Sequence, residues 1–349
     1  MHYRLTLVPL AGLALAMTAM IATPAVAAPG TPATTVRHAP VDRPGPELTV
    51  PSDVLAASLD CSPGIDEAAV DPVLLLSGTT VDPPENFDWN YQPALTAAGI
   101  PYCTSTAPGR NMADIAVRGE YVVYALRTMA ERAGRDVAVV GHSQGGMVTR
   151  WALRFWPDTR ELVSDLIGLA PSNNGTLTGS AACTPLCAPA IWQQRTGSKF
   201  LAALNSGRQT FGGVDYTVVY TDLDAVVTPQ PAGSVLAADG AADDEVTNVA
   251  LQQVCPGSTA DHIATGTYDA VAWALVLDAL THDGPADPDR IDPAVCTQPL
   301  MPGVNPLTFP ADSARSSTLL AMTLATYPRV AAEPELACYA RAEGCEPAA

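Results

Sequence analysis

The sequence predicts an α/β fold: a mostly parallel sheet with helices on both faces. Two observations carry this. Several short runs are apolar throughout, as strands buried on both faces must be. Between them lie stretches whose apolar residues recur at helical spacing, and such alternation implies a parallel sheet. Val73-Leu74-Leu75-Leu76 is the first run and ends in Ser77-Gly78. A helix is expected over 111–133, through Ile115, Tyr121, Val122, Ala125 and Met129, with Gly134 as its stop. Val137-Ala138-Val139-Val140 is the next buried strand, followed by a helix over 145–156 that Pro157 ends. Residues 163–169 and 216–220 supply two more strands, and 266–280 and 316–327 two more helices. Ligand sites of such sheets lie beyond the C-terminal strand ends.

The N-terminus reads as an export signal over 1–27. His2 and Arg4 precede an apolar run from Leu5 to Ile21, and Pro24 and Ala25-Val26-Ala27 follow. The run approaches the ~18 residues that span a membrane. A retained anchor is the other reading, and the closing small residues favour cleavage after Ala27 or Ala28. No later run is apolar and long enough to span, so the mature chain is expected to be extracellular, without an integral membrane segment. Residues 28–55 are Pro-rich with few large apolar side chains. They cannot offset their ordering entropy by burial and are expected to form a disordered tail. Residues 56–349 then form a single domain, expected to act as a monomer.

The 18 Lys and Arg, less Arg4, set against 36 Asp and Glu, leave a mature net charge near −19. That argues against nucleic acid as a partner and against electrostatic docking on anionic lipid. The eight cysteines are even in number and bound for an oxidising compartment, so a disulfide framework is expected. Composition leaves its connectivity open. No Cys pair has a His at ligand spacing, and no metal site is expected.

Gly141-His142-Ser143-Gln144-Gly145 is a G-x-S-x-G motif. Glycines on both sides let the chain turn sharply and present the serine hydroxyl. The motif alone is common. Its context, an apolar run directly before and a helical pattern directly after, is that of the nucleophile elbow in the α/β-hydrolase fold. Of five histidines, His2 leaves with the signal, His38 lies in the expected tail, and the His142 side chain should diverge from Ser143. His262, in a polar loop before a helix, is the expected base. His282 follows that helix and suits a C-terminal charge partner.

An acid is expected between nucleophile and base, after a strand. Asp222 and Asp224 both follow the strand at 216–220, and the residues alone leave both open. The acid would hold the imidazole tautomer and stabilise the imidazolium. An oxyanion needs donors. The Gln144 backbone N–H is one candidate, and the Ser77-Gly78-Thr79-Thr80 loop offers Thr79 as another, with a plain polar turn as the alternative reading.

From about Cys61 onward the chain resembles the family of Candida antarctica lipase B and its bacterial relatives. Leu76-Ser77-Gly78-Thr79 is similar to that family's oxyanion loop, and Ser143-Gln144-Gly145-Gly146 to its elbow. Residues 220–230, ending Val227-Thr228-Pro229-Gln230, resemble the acid loop, and Asp261-His262 the histidine dipeptide. Ala170-Pro171 and Ile191-Trp192-Gln193-Gln194 also correspond.

The resemblance implies a disulfide-stapled α/β-hydrolase with Ser143, Asp224 and His262 as its triad and Thr79 and Gln144 as its oxyanion hole. It implies a secreted lipase or carboxylesterase acting on ester or lipid substrate, an oil–water interface among the places it could act, without metal or organic cofactor. It implies the pairs Cys61–Cys103, Cys255–Cys296 and Cys338–Cys345. Cys183 and Cys187 are extra and are expected to pair with each other, in a region that borders the family's site entrance and includes a mobile helix. One departure stands out: the family has tryptophan before the nucleophile, and this chain has His142, which puts alcohol selectivity in doubt. An acyltransferase or polyester depolymerase on the same machinery, and a non-catalytic cell-surface protein, are the rival readings.

Overall fold

The computed structural model describes residues 37–66 and 68–345. The expected export signal and the start of the tail lie outside them. Seven strands form one sheet: β1 Leu59–Cys61, β2 Val73–Leu76, β3 Tyr102–Ser105, β4 Val137–His142, β5 Val163–Leu169, β6 Asp215–Tyr220 and β7 Val246–Ala250. Their order is β1-β3-β2-β4-β5-β6-β7. Only β1 runs antiparallel, against β3; every other pair is parallel.

Side-chain alternation shows why the central runs are apolar throughout. Leu74 and Leu76 of β2, with Val137 and Val139 of β4, join one core, which packs under the helices Ile115–Ala133 and Gln144–Phe155. Val73 and Leu75, with Ala138 and Val140, join a second core under the helices Tyr91–Ala98 and Ala270–Thr281. A polar residue at any of these positions would be buried without partners. The arrangement is that of an α/β-hydrolase.

The helix expected over 266–280 is two helices, His262–Thr267 and Ala270–Thr281. Asp269 divides them, because its side chain accepts hydrogen bonds from the Val271 and Ala272 backbone N–H groups and caps the second. By composition the stretch is apolar enough to cross a membrane, but it lies mostly within the core. The late helix starts earlier than expected, at Phe309–Thr326.

The expected tail is corrected over 37–55. There the chain is packed on the domain and enters the helix Ser52–Ser58. Many of its anchors are backbone carbonyls, which composition does not show, and a few scattered apolar side chains, Ala39, Val41, Leu48 and Leu55, join the core beside them. Trp156 Nε1–H donates to the Pro46 carbonyl at 2.8 Å, Arg160 Nη2–H to the Val41 carbonyl at 2.6 Å, and Arg154 to those of Ala39 and Pro40. His38, expected to be mobile with the tail, pairs with Arg341 in a short antiparallel bridge.

All eight cysteines are paired, as Cys61–Cys103, Cys183–Cys187, Cys255–Cys296 and Cys338–Cys345. Cys61 and Cys103 stand directly opposite each other on β1 and β3.

Candidate active site

β4 ends at His142, and the helix Gln144–Phe155 begins one residue after Ser143. The turn between them is so tight that Ser143 takes φ 54° and ψ −119°, a region most L-residues avoid. Glycines make it possible. A Cβ on Gly145 would sit 2.0 Å from the Leu76 carbonyl oxygen, and one on Gly141 2.3 Å from the Gly146 nitrogen.

Ser143, His262 and Thr79 line one cavity of about 280 Å³. Asp261 caps the helix His262–Thr267, its side chain accepting from the Ala264 N–H at 2.8 Å, and so fixes where His262 enters it. His262 Nδ1 lies 2.8 Å from Asp224 Oδ2, and both residues are buried. The other carboxylate oxygen of Asp224 accepts from the Val226 and Val227 N–H groups, each at 2.8 Å. Burial acts to raise the Asp224 carboxyl. The His262 hydrogen bond and charge, with those two donors, outweigh it and hold the carboxyl below its ordinary value. Asp222 is exposed, so geometry separates the two aspartates that local sequence could not.

The loop after β2 is tied on every side. Gly78 N–H donates to Asn86 Oδ1 at 2.9 Å; Asn111 Nδ2 donates to the Gly78 and Val81 carbonyls; Arg118 Nη2 donates to the Ser77 carbonyl at 2.7 Å. Among the described residues, the Thr79 N–H meets no protein acceptor. As the first residue of its helix, Gln144 likewise has an N–H without an intrahelical acceptor. The Thr79 hydroxyl accepts from Gln144 Nε2 at 3.2 Å and from Gln194 Nε2 at 3.0 Å. A hydroxyl has two acceptor lone pairs and one proton. With both lone pairs engaged, the proton is left for the cavity or for Gln194 Oε1, 3.4 Å away, which already accepts from Ser172 Oγ at 3.0 Å.

His142 turns away from Ser143, as expected. Its Nδ1 lies 3.1 Å from Asn86 Oδ1 and its Nε2 3.2 Å from the His262 carbonyl. The ring packs on the backbone of Gly266, where a Cβ would lie 2.0 Å from Cδ2. Burial, with His262 beside it, pushes its pKa down to about 3.

The cavity wall includes Thr178, Gly179 and Ala182, together with Leu320 and Leu324. The helix that runs up to Cys183 thus borders the cavity. Asn86, Asn111 and Arg118 were not among the residues singled out by sequence. Their side-chain partners lie 26 to 180 positions away apart from the Gly78–Asn86 bond, and no local pattern announces them.

No protein-family model matches the chain. Lipase B of Pseudozyma antarctica is 33% identical over 304 residues, which cover 85% of this chain and 86% of that protein. Among solved structures, Aspergillus fumigatus lipase B matches with a TM-score of 0.76 at 30% identity, over 85% of this chain and 74% of that one. Identity at that level over nearly the whole domain, on the same fold, means that this chain belongs to the lipase B family of ester hydrolases.

Proposed function

We propose that the protein is a secreted lipase or carboxylesterase that cleaves acylglycerol-like esters through an acyl-enzyme on Ser143. The observation that carries this is the buried His262–Asp224 pair at 2.8 Å, opening on the same cavity as a serine held in a strained elbow. Ser143 Oγ attacks the ester carbonyl while His262 takes its proton. The Thr79 N–H and hydroxyl, with the Gln144 N–H, hold the oxyanion. Collapse of the tetrahedral adduct expels the alcohol, which receives the proton from His262. Water then repeats the sequence on the acyl-enzyme and releases the acid. Asp224 fixes the imidazole tautomer and stabilises the imidazolium.

The apolar wall formed by Val81, Ile191, Val226, Leu320 and Leu324 suits an acyl chain. Leu177, Leu223, Val226 and Leu324 are exposed, on segments that line the cavity or adjoin its lining, and suit contact with a lipid surface. The disulfides favour an extracellular site of action, and the chain acts as a single domain without metal or organic cofactor.

The test is Ser143→Ala, assayed on p-nitrophenyl esters of increasing chain length, together with labelling by an alkyl phosphonate mapped by peptide mass. Loss of turnover by orders of magnitude, with the label on Ser143 in the wild type only, is expected. Unchanged turnover in the folded variant would overturn the assignment.

A further inference from the structure

Arg118 sits on the helix Ile115–Ala133, a helix with an outer polar face, yet it is buried with 5% of its surface exposed. Its guanidinium donates to two oxygens, Gln144 Oε1 and the Ser77 carbonyl, both belonging to residues beside the oxyanion hole. Among the described residues no carboxylate lies within ion-pair distance of it. The negative group that acts on it is Asp82, which is already paired with Arg110 at 3.2 Å. A buried cation without a carboxylate is costly. Burial accordingly pushes its pKa down to about 9, which still leaves it charged near neutral pH.

The direction of the hydrogen bonds gives that cost a use. Arg118 Nη1 donates to Gln144 Oε1, which fixes the side-chain amide so that its nitrogen, not its oxygen, faces Thr79. Gln144 Nε2 then donates to Thr79 Oγ1 at 3.2 Å and to the Asn111 carbonyl at 2.9 Å. A flipped amide would place an acceptor against Thr79 and draw its proton away from the cavity. It would also set an NH₂ group against the guanidinium. Arg118 therefore forbids the flip. The chain from guanidinium to amide to hydroxyl runs donor to acceptor throughout, and in a low-dielectric interior each link polarises the next.

We propose that Arg118 is a positioning residue of the oxyanion hole: it orients the Gln144 amide, and through it the Thr79 hydroxyl, and supplies a fixed positive charge that favours the tetrahedral oxyanion over the neutral ester. The inference rests on the active-site reading above. A preorganised charge acts on the transition state and little on the ground state, so it governs kcat and leaves KM nearly unchanged.

The experiment compares Arg118→Gln and Arg118→Lys with wild type on p-nitrophenyl butyrate, and measures inhibition by an alkyl trifluoromethyl ketone, whose serine adduct is an oxyanion. Ser143→Ala is run beside them. In Arg118→Gln, kcat is expected to fall by ~10–100-fold with KM changed less than about threefold, and Ki should rise by the same factor as kcat/KM falls. Arg118→Lys keeps the charge without the fork and should recover much of the loss. If the residue merely braced the loop, the glutamine, which keeps a hydrogen-bond donor, would do as well as the lysine. The proposal is overturned by a folded Arg118→Gln with wild-type kcat, by a loss of kcat with unchanged Ki, or by a lysine variant no better than the glutamine. Should Arg118→Gln not fold by near-ultraviolet circular dichroism, Arg118→Lys decides through the match of Ki to kcat/KM. Retained activity in Ser143→Ala would instead overturn the active-site assignment itself.

Discussion

His142 Nε2 lies 3.2 Å from the carbonyl oxygen of His262, so the residue before the nucleophile touches the backbone of the proposed base. Its other nitrogen meets Asn86 Oδ1, which also accepts from Gly78 N–H. The ring thus packs between Asn86 and the His262 helix. A neutral imidazole has one N–H, so it donates to one of these two oxygens and only lies against the other. Burial holds its pKa near 3 against an ordinary value of 6.5. Between those values the unfolded chain binds a proton that the folded chain refuses. Stability is therefore lost as pH falls through 6.5 toward 3, by up to about 1.4 kcal/mol per pH unit. His142→Gln removes that liability. Its melting temperature, set against wild type at pH 7 and at pH 4.5, should gain by a few degrees at the lower pH. Parallel curves would show that His142 is not held neutral.

Asp224→Asn should lower kcat by about 10⁴, the scale of losing a tautomer-holding aspartate. Asp222→Asn should stay within twofold of wild type, since Asp222 is exposed and Asp224 makes the 2.8 Å contact with His262. Steady-state kinetics on one soluble ester compares them directly. A damaging Asp222→Asn would reverse the assignment.

Thr79→Val removes the hydroxyl and keeps the backbone N–H groups of Thr79 and Gln144. A fall in kcat of ~10–100-fold is expected, below the ~10²–10³ of losing a sole side-chain donor. Gln194→Leu should cost less, because one of the two amides that accompany the hydroxyl survives. Wild-type kcat in Thr79→Val would mean that the hydroxyl takes no part.

Removal of residues up to 50 tests the correction to the tail. It strips acceptors from Trp156 and Arg154, both buried, and leaves their donors unpaired at a cost of roughly 1–3 kcal/mol each. Removal up to 35 touches none of these contacts. Chemical denaturation should separate the two truncations by several kcal/mol, and equal midpoints would mean that the segment is not held.

What could be read from sequence follows from where the partners sit. β2 and β4 were legible because two buried faces force an unbroken apolar run, and β5 and β6 because Leu166-Ile167 and Val218-Val219 keep an apolar centre despite Ser164, Asp165 and Thr217. β3, with Thr104 and Ser105, and β7, with Thr247 and Asn248, mix polar residues into theirs and were missed. Ser143 and His262 were legible through local context, since an elbow needs its glycines nearby. Asp224 was not separable from Asp222 by local pattern, because burial and the contact with His262 are set by the fold. Arg118 reads as a solvated helix charge until the neighbouring loops close over it.

The pair Cys183–Cys187 joins the end of the helix Leu177–Ala182 to the approach of the helix Pro189–Gln193, and both flank the cavity through Gly179, Ala182 and Ile191. Closing a separation of 4 residues removes about 2 kcal/mol of unfolded-state entropy, against about 4 kcal/mol for the separation of 42 at Cys61–Cys103. The segment has a second tie as well. Cys187 and Val330 exchange backbone hydrogen bonds, Cys187 N–H to Val330 carbonyl at 3.3 Å and the reverse at 2.8 Å. Stability therefore depends little on the bridge, whereas the freedom of the helix Leu177–Ala182, with Leu177 exposed at its start, depends on it more. Cys183→Ser with Cys187→Ser should lower the melting temperature only modestly. It should change the ratio of activity on emulsified triacylglycerol to activity on a soluble short ester. Both assays on one preparation measure that ratio directly. An unchanged ratio would reduce the bridge to a surface staple with no part in substrate entry.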